Sequence, residues 1–322
     1  MHSAKCLVRF ALCLFFLAAC GGNPTLSNEE QAQRDSAALH VALMPVHDCF
    51  PAFYAQRMGI YDRLGLDLRI LTLQAQLDTD TALTRGRAEL IYSDLARAIF
   101  MQQDTTPLRA VAATEGTLQL ITARRGRVRQ LNQLKERMVA VARHSITDYW
   151  SDRLTDTARM ARADIFRPQI NNVRIRTDML CNGTMDAAFL PEPYASEALL
   201  RGNTLNFTTK ELTPQLVAFV ASEAATTDST RRRQLQLFCQ GYDEAVELLN
   251  RGGVRDTLAA MYKQLCHTPD TLIDTLLKAT SHFTPLRAPQ QSDADAALQW
   301  LQSRGKVKKG YHADKLLFPI TQ

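Results

Sequence analysis

The chain has 322 residues, 46% hydrophobic and 22% charged, and no low-complexity tract, which fits a globular body of about two lobes and excludes a disordered or fibrous protein. Its formal net charge of +5 falls by two, to +3, if Lys5 and Arg9 leave with an N-terminal segment, and that balance is too mild to argue for nucleic acid. The local exceptions, Arg124, Arg125, Arg127 and Arg129 and the triplet Arg231 to Arg233, read as solvated faces.

Lys5 and Arg9 make a positive start, and Phe10 to Ala19 is an apolar run of the length of a secretory signal rather than of a membrane span. It leads into Leu17-Ala18-Ala19-Cys20-Gly21-Gly22, which resembles the lipobox of bacterial lipoproteins. The resemblance implies export, acylation of Cys20, and a protein held at the cell envelope through an N-terminal lipid anchor, facing the periplasm or cell exterior. Residues 1–19 are then the signal peptide. Residues 20–36, polar and without periodicity, read as a flexible lipidated tether.

Four cysteines remain for the body: Cys49, Cys181, Cys239 and Cys266. Cys239 and Cys266 lie in consecutive helical segments and are the pair expected to form a disulfide in an oxidising compartment, free buried thiols being the alternative. His47 near Cys49 and His267 beside Cys266 have no second pair at structural-zinc spacing, so no metal is expected. No phosphate-loop, dinucleotide or Ser/His/Asp fingerprint is present, and no cofactor is expected.

From His40 the pattern alternates. A strand over His40 to Met44 precedes a helix from Phe50 to Gly59. Leu66 to Leu71 is a strand, Thr79 to Gly86 a helix, Leu90 to Tyr92 a strand, Leu95 to Met101 a helix and Leu108 to Thr114 a strand. A second unit repeats the arrangement: strand Met138 to Ala142, a helix opened by Ser145, and strands at Val173 to Ile175 and Asp186 to Leu190. Gly86 and Glu89 recur 97 residues later as Gly183 and Asp186, each pair ending a helix and opening a strand. Leu118 to Ala123 and Leu216 to Ala221 bracket the second unit and are the candidate crossing strands. Helices after Thr227 are expected to pack back on the first unit.

Three blocks carry a family resemblance. The stretch MPVHDCFPAFYAQRMGIYDRLGLDLRI with ALTRGRAELIYSDLARA, then VARHSITDYWSDRL, then MDAAFLPEPYASEALLRG, resembles the substrate-binding proteins of the thiamine-precursor, nitrate and alkanesulfonate ABC importers. The resemblance implies an α/β, type II periplasmic-binding-protein fold with two lobes, each a mixed, mostly parallel sheet covered by helices. Lobe 1 would span 37–115 and 215–322, lobe 2 would span 116–214, and two crossing strands would join them. It also implies a small-molecule ligand held between the lobes by hinge closure, and partners in a permease and an ATPase subunit.

The residues themselves point to the same crevice, because loops at the carboxyl ends of strands face it. His47 and Asp48 follow the first strand, with Phe50 at the start of the next helix; Ser93 and Asp94 end the third strand. Thr114 and Glu115 precede a crossing. Ser145 and Thr147 open a helix whose free amides suit an anion, and Tyr149 with Trp150 or Phe50 would give an aromatic wall for a flat ligand. Glu192 is fixed between Pro191 and Pro193. Asp48 reads equally as a helix cap, Ser93 and Asp94 also have a cap reading that their place at the crevice outweighs, Ser145 with Asp148 reads as a capping box, and Glu192 equally as a turn residue. Pyrimidine, sulfonate and nitrate remain open as ligands. So do an exported ligand sensor without a transporter and an enzyme of the thiamine or menaquinone precursor type on the same fold.

Overall fold

The computed structural model describes residues 27–102, 106–280, 282–308, 310–313 and 315–320, so the signal peptide, the lipobox and Cys20 lie outside the described residues. The chain divides into 1–37 and 38–322. In the first part, α1 (Asn28–Ala37) is a helix where the sequence reading expects a tether. Its signal is the Ser27-x-x-Glu30 capping box: Glu30 N–H donates to Ser27 Oγ at 3.3 Å, and Ser27 N–H donates to Glu30 Oε2 at 2.9 Å.

The second part begins with β1 (Leu39–Leu43), a tight turn over His47–Cys49, α2 (Phe50–Arg57), α3 (Ile60–Arg63) and β2 (Leu68–Thr72). It continues through α4 (Gln76–Thr84), β3 (Leu90–Asp94), α5 (Leu95–Gln102) and β4 (Leu108–Ala113). Next come β5 (Leu118–Thr122), β6 (Val139–Ala140), α6 (Ile146–Thr157), α7 (Val173–Cys181), β7 (Ala187–Pro191), α8 (Tyr194–Leu200) and β8 (Thr204–Thr208). The last elements are β9 (Val217–Ser222), α9 (Glu223–Thr227), α10 (Ser229–Arg251), α11 (Arg255–Cys266), α12 (Asp270–Ala279) and α13 (Gln291–Ser303).

Among the described residues two sheets result, in the orders β2-β1-β3-β9-β4 and β6-β7-β5-β8. β1 pairs in parallel with β2 and β3, and β6 with β7. β9 inserts antiparallel between β3 and β4, and β5 is antiparallel to both its neighbours, so the parallel share is smaller than expected. The reason is topological: a chain that returns from the other sheet enters from the opposite end. β3 is buried along its whole length, as a central strand covered by helices must be.

The connections differ from expectation too. β5 and β9 each stay within one sheet, and the chain crosses between sheets at 114–117 and 209–216. Gly116 stands in the first crossing with φ +62°, and a Cβ there would lie 2.3 Å from Val217 Cγ2, so only glycine lets this connection pass against the start of β9. The strand expected at Val173 to Ile175 is the first turn of α7. Asn172 caps it, its Oδ1 accepting Ile175 N–H at 2.9 Å, and this cap outweighs three apolar-alternating residues.

The repeat of Gly86/Glu89 as Gly183/Asp186 has a structural basis. Both glycines have positive φ. Glu89 Oε2 accepts the His40 N–H at 2.8 Å, and Asp186 Oδ2 accepts the Met138 N–H at 3.0 Å. Each acid thus holds the amide that enters the neighbouring parallel strand.

α10 lies along α2 and α3, and α13 packs on α5, but α12 also meets α8 of the second sheet, so the C-terminal helices do not pack on the first lobe alone. The expected disulfide is not formed: all four described body cysteines are free. Cys266 donates its thiol to the Pro45 carbonyl at 3.3 Å, whereas the Cys239 thiol is buried in a different neighbourhood that includes Tyr61 and Asp243.

Candidate functional site

Each sheet presents its strand ends to helix starts of the other. Ile146 N–H, at the start of α6, donates to Asp94 Oδ2 at 3.0 Å, and His47 N–H donates to the Glu192 carbonyl at 2.8 Å. Asp94 Oδ1 also accepts Arg97 N–H at 2.8 Å, so the residue is a helix cap and an interlobe contact at once. Burial, and to a smaller degree the like charge of Asp80, push its carboxyl up to about 7 against the opposing pull of the two amides.

Between these contacts lies a cavity of about 50 Å³. Tyr92, Ser93, Asp94 and Gln76 line it from the first sheet's side, and Ser145, Ile146, Thr147, Asn171 and Arg176 from the second. Four residues expected at the crevice, Ser93, Asp94, Ser145 and Thr147, therefore meet on its wall. Ser93 Oγ accepts Gln76 Nε2 at 3.1 Å. Ser145 Oγ caps α6 by accepting Thr147 N–H at 3.2 Å and donates to the Ala142 carbonyl at 2.7 Å.

The others stand elsewhere. Asp48 is half-buried near the first crossing, its Oδ2 accepting Tyr92 hydroxyl at 2.8 Å and Thr114 hydroxyl at 3.2 Å. Burial raises its carboxyl, opposed by His47 and these two donors. His47 stacks on Phe283 with centroids 4.3 Å apart and gives Nε2–H to the His282 carbonyl. Glu115 accepts from Thr284 Oγ1 at 2.9 Å and lines a separate groove with His282 and Arg287. Glu192 uses its carboxylate on Gln119, at 2.6 Å, and on Ser196, which makes it a brace for α8. Phe50 is wholly buried against Tyr262, and Tyr149 packs edge-on to Trp150 and Trp300. The aromatic wall is therefore core, because these rings fall on the helix faces turned toward α11 and α13.

Sequence reasoning missed Arg176. It is 4% exposed and lines the cavity, with a single long hydrogen bond from Nη1 to the Ile170 carbonyl at 3.4 Å and a buried Nε without a partner. Burial alone draws its guanidinium down to about 10. Once residues 173–175 are taken as strand its place on a helix is lost, and Asn172 as a cap was the signal that could have recovered it.

The sequence matches the NMT1-like family over residues 32–263. The chain belongs to the NMT1-like family. No curated protein matches it significantly. This NMT1-like protein is similar to the alkanesulfonate-binding protein SsuA from Xanthomonas axonopodis pv. citri bound to MOPS, with TM-score 0.74 and 16% identity over 88% of this chain and 98% of that one. It is similar to the periplasmic nitrate-binding protein NrtA from Synechocystis PCC 6803, with TM-score 0.72 and 12% identity over 87% of this chain and 86% of the other. A desulfurization enzyme, DSZB, also shares the architecture at TM-score 0.61 and 12% identity, over 88% and 96% of the two chains. These likenesses establish the periplasmic-binding-protein fold for the NMT1-like chain.

Proposed function

We propose that this protein is the solute-binding component of an ABC importer, exported and held at the cell envelope through acylated Cys20, and that it hands a small molecule to a permease driven by an ATPase. The observation that carries the reading is the interlobe cavity, built where strand ends of one sheet meet helix starts of the other, in a fold shared with alkanesulfonate-binding and nitrate-binding proteins. The lobe assignment proposed is 37–115 with 215–322, and 116–214. Binding over chemistry is supported by Cys49, whose buried thiol is held well above its ordinary range, and by His47, which is engaged with Phe283 and His282.

Titration with nitrate, alkanesulfonates, carboxylates and aminopyrimidines is expected to raise the melting temperature with ligand concentration for one class. A flat melting temperature across all of them contradicts the proposal. Cys20→Ala is expected to release the protein from membranes or to stall its processing, and unchanged partitioning into the detergent phase contradicts the anchor.

A further inference from the structure

We infer that Arg176 is the ligand anchor of the interlobe cavity and that the ligand carries an oxyanion head group, a carboxylate, nitrate-like or sulfonate group. This rests on the solute-binding reading above and narrows it.

The argument starts from how the protein treats its other buried arginines. Arg97 pairs with Asp80 at 2.5 Å, Arg167 with Asp152 at 3.0 Å and Arg174 with Glu197 at 2.7 Å. Arg176 is more deeply buried than any of these and, among the described residues, has no carboxylate within ion-pair distance. A guanidinium stays protonated under such burial, so the charge persists and lacks a counter-ion. An uncompensated buried charge is strongly destabilising and is retained where something outside the chain supplies the opposite charge. The side chain lines a cavity into which strand ends from both sheets open, which places that missing charge in the cavity.

The rest of the wall suits the same group. Ser93 Oγ accepts from Gln76, which leaves its own hydrogen to give. Asn171 accepts from Gln169 through Oδ1, which leaves its Nδ2 hydrogens to give. Both are donors, as an oxyanion requires, and guanidinium with amide and hydroxyl donors matches its geometry. Asp94, the one acid on the wall among the described residues, turns its two oxygens to the Ile146 and Arg97 amides. A volume of about 50 Å³ holds about three or four water-sized bodies, the scale of such a head group rather than of a fused ring system.

The test is calorimetric titration and thermal melting of the wild type and Arg176→Gln with nitrate, methanesulfonate, acetate and neutral 4-amino-2-methylpyrimidine. At least one anion is expected to bind the wild type, and Arg176→Gln is expected to weaken it by about thirtyfold or more while the ligand-free variant melts higher than the wild type. A structural role makes the opposite demand. Lower melting of Arg176→Gln with anion affinity retained overturns the inference. Binding of the pyrimidine alone overturns the oxyanion class and leaves the solute-binding reading standing. Binding of no probe overturns both. The wild-type titration decides the class even if Arg176→Gln fails to fold, and Arg176→Lys, which keeps the charge and loses the fork, then tests the anchor by a smaller loss of the same affinity.

Discussion

Asp94 carries two roles at one carboxyl, and its protonation separates them. Its folded-state value near 7 lies above the ordinary 3.8, so between about pH 4 and 7 the folded chain holds a proton that the unfolded chain has released. Stability contributed by this group is thus present at low pH and is lost as pH rises toward 7. Asp48 and Asp80 are shifted in the same direction. Asp94→Asn removes one share of the slope, and melting curves from pH 4 to 8 are expected to fall less steeply in the variant; an unchanged slope contradicts the assignment. Asparagine keeps one amide-accepting oxygen and loses the other, so one of the Arg97 and Ile146 amides is left without an acceptor, at about 1 kcal/mol or more at every pH, which leaves the slope as the diagnostic quantity. At this scale the sequence was half legible. Ser93, Asp94, Ser145 and Thr147 could be placed on the cavity wall because loops after strands face a crevice. Phe50 and Tyr149 could not be excluded, because an aromatic ring at a helix start belongs to the core or to the cleft according to which later helix covers it. Those covers, Tyr262 and Trp300, are more than 140 residues away.

Elements with strong local signals were readable, and their partners were not. β1, α2, β3 and β4 fall close to the positions the alternation predicts, since buried central strands leave continuous apolar runs. β8 escapes because it is a largely exposed strand with a weak apolar pattern, and α7 because a single capping residue, Asn172, is its start signal. α10 shows how packing overrides propensity. Gly241 sits inside this 23-residue helix, where alanine would gain about 1 kcal/mol by propensity. A Cβ there would meet the Tyr61 ring at 2.4 Å, and that ring is stacked on Phe238. Overpacking of this kind costs about 1–3 kcal/mol, so the clash wins. Gly241→Ala is expected to lower stability to denaturant by up to roughly 2 kcal/mol net, and a stabilised variant would show that α10 can shift away from α3.

For the molecule as a whole, the two halves are tied at the rim as well as at the cavity. Trp300 Nε1–H donates to Asp152 Oδ2 at 2.9 Å, and Arg304 pairs with the buried Asp148 at 2.9 Å, tying α13 to α6. On another part of the rim Arg174 donates to the Cys266 carbonyl and Val173 N–H to the Gln74 carbonyl at 3.1 Å. Breaking the first tie shifts the balance of open and closed forms without touching the cavity. Arg304→Ala is expected to enlarge the radius of gyration of the ligand-free protein in solution scattering. It is also expected to reduce affinity for any cleft ligand by the factor by which the closed population falls. Unchanged scattering and affinity would mean that the lobes stay together without it.

Gly116 against Val217 adds a mechanical consequence. Two connections that ran apart would let one lobe bend, twist and slide as each strap flexed by itself. Here the first strap rests on Val217, the residue at which the second strap enters β9, and Thr114 N–H is bonded to the Val217 carbonyl at 3.2 Å, so the two straps share one anchor point. A swing of one lobe against the other is therefore expected to turn about this shared contact as a single axis, and to return Asp94 and Ile146 to the same register.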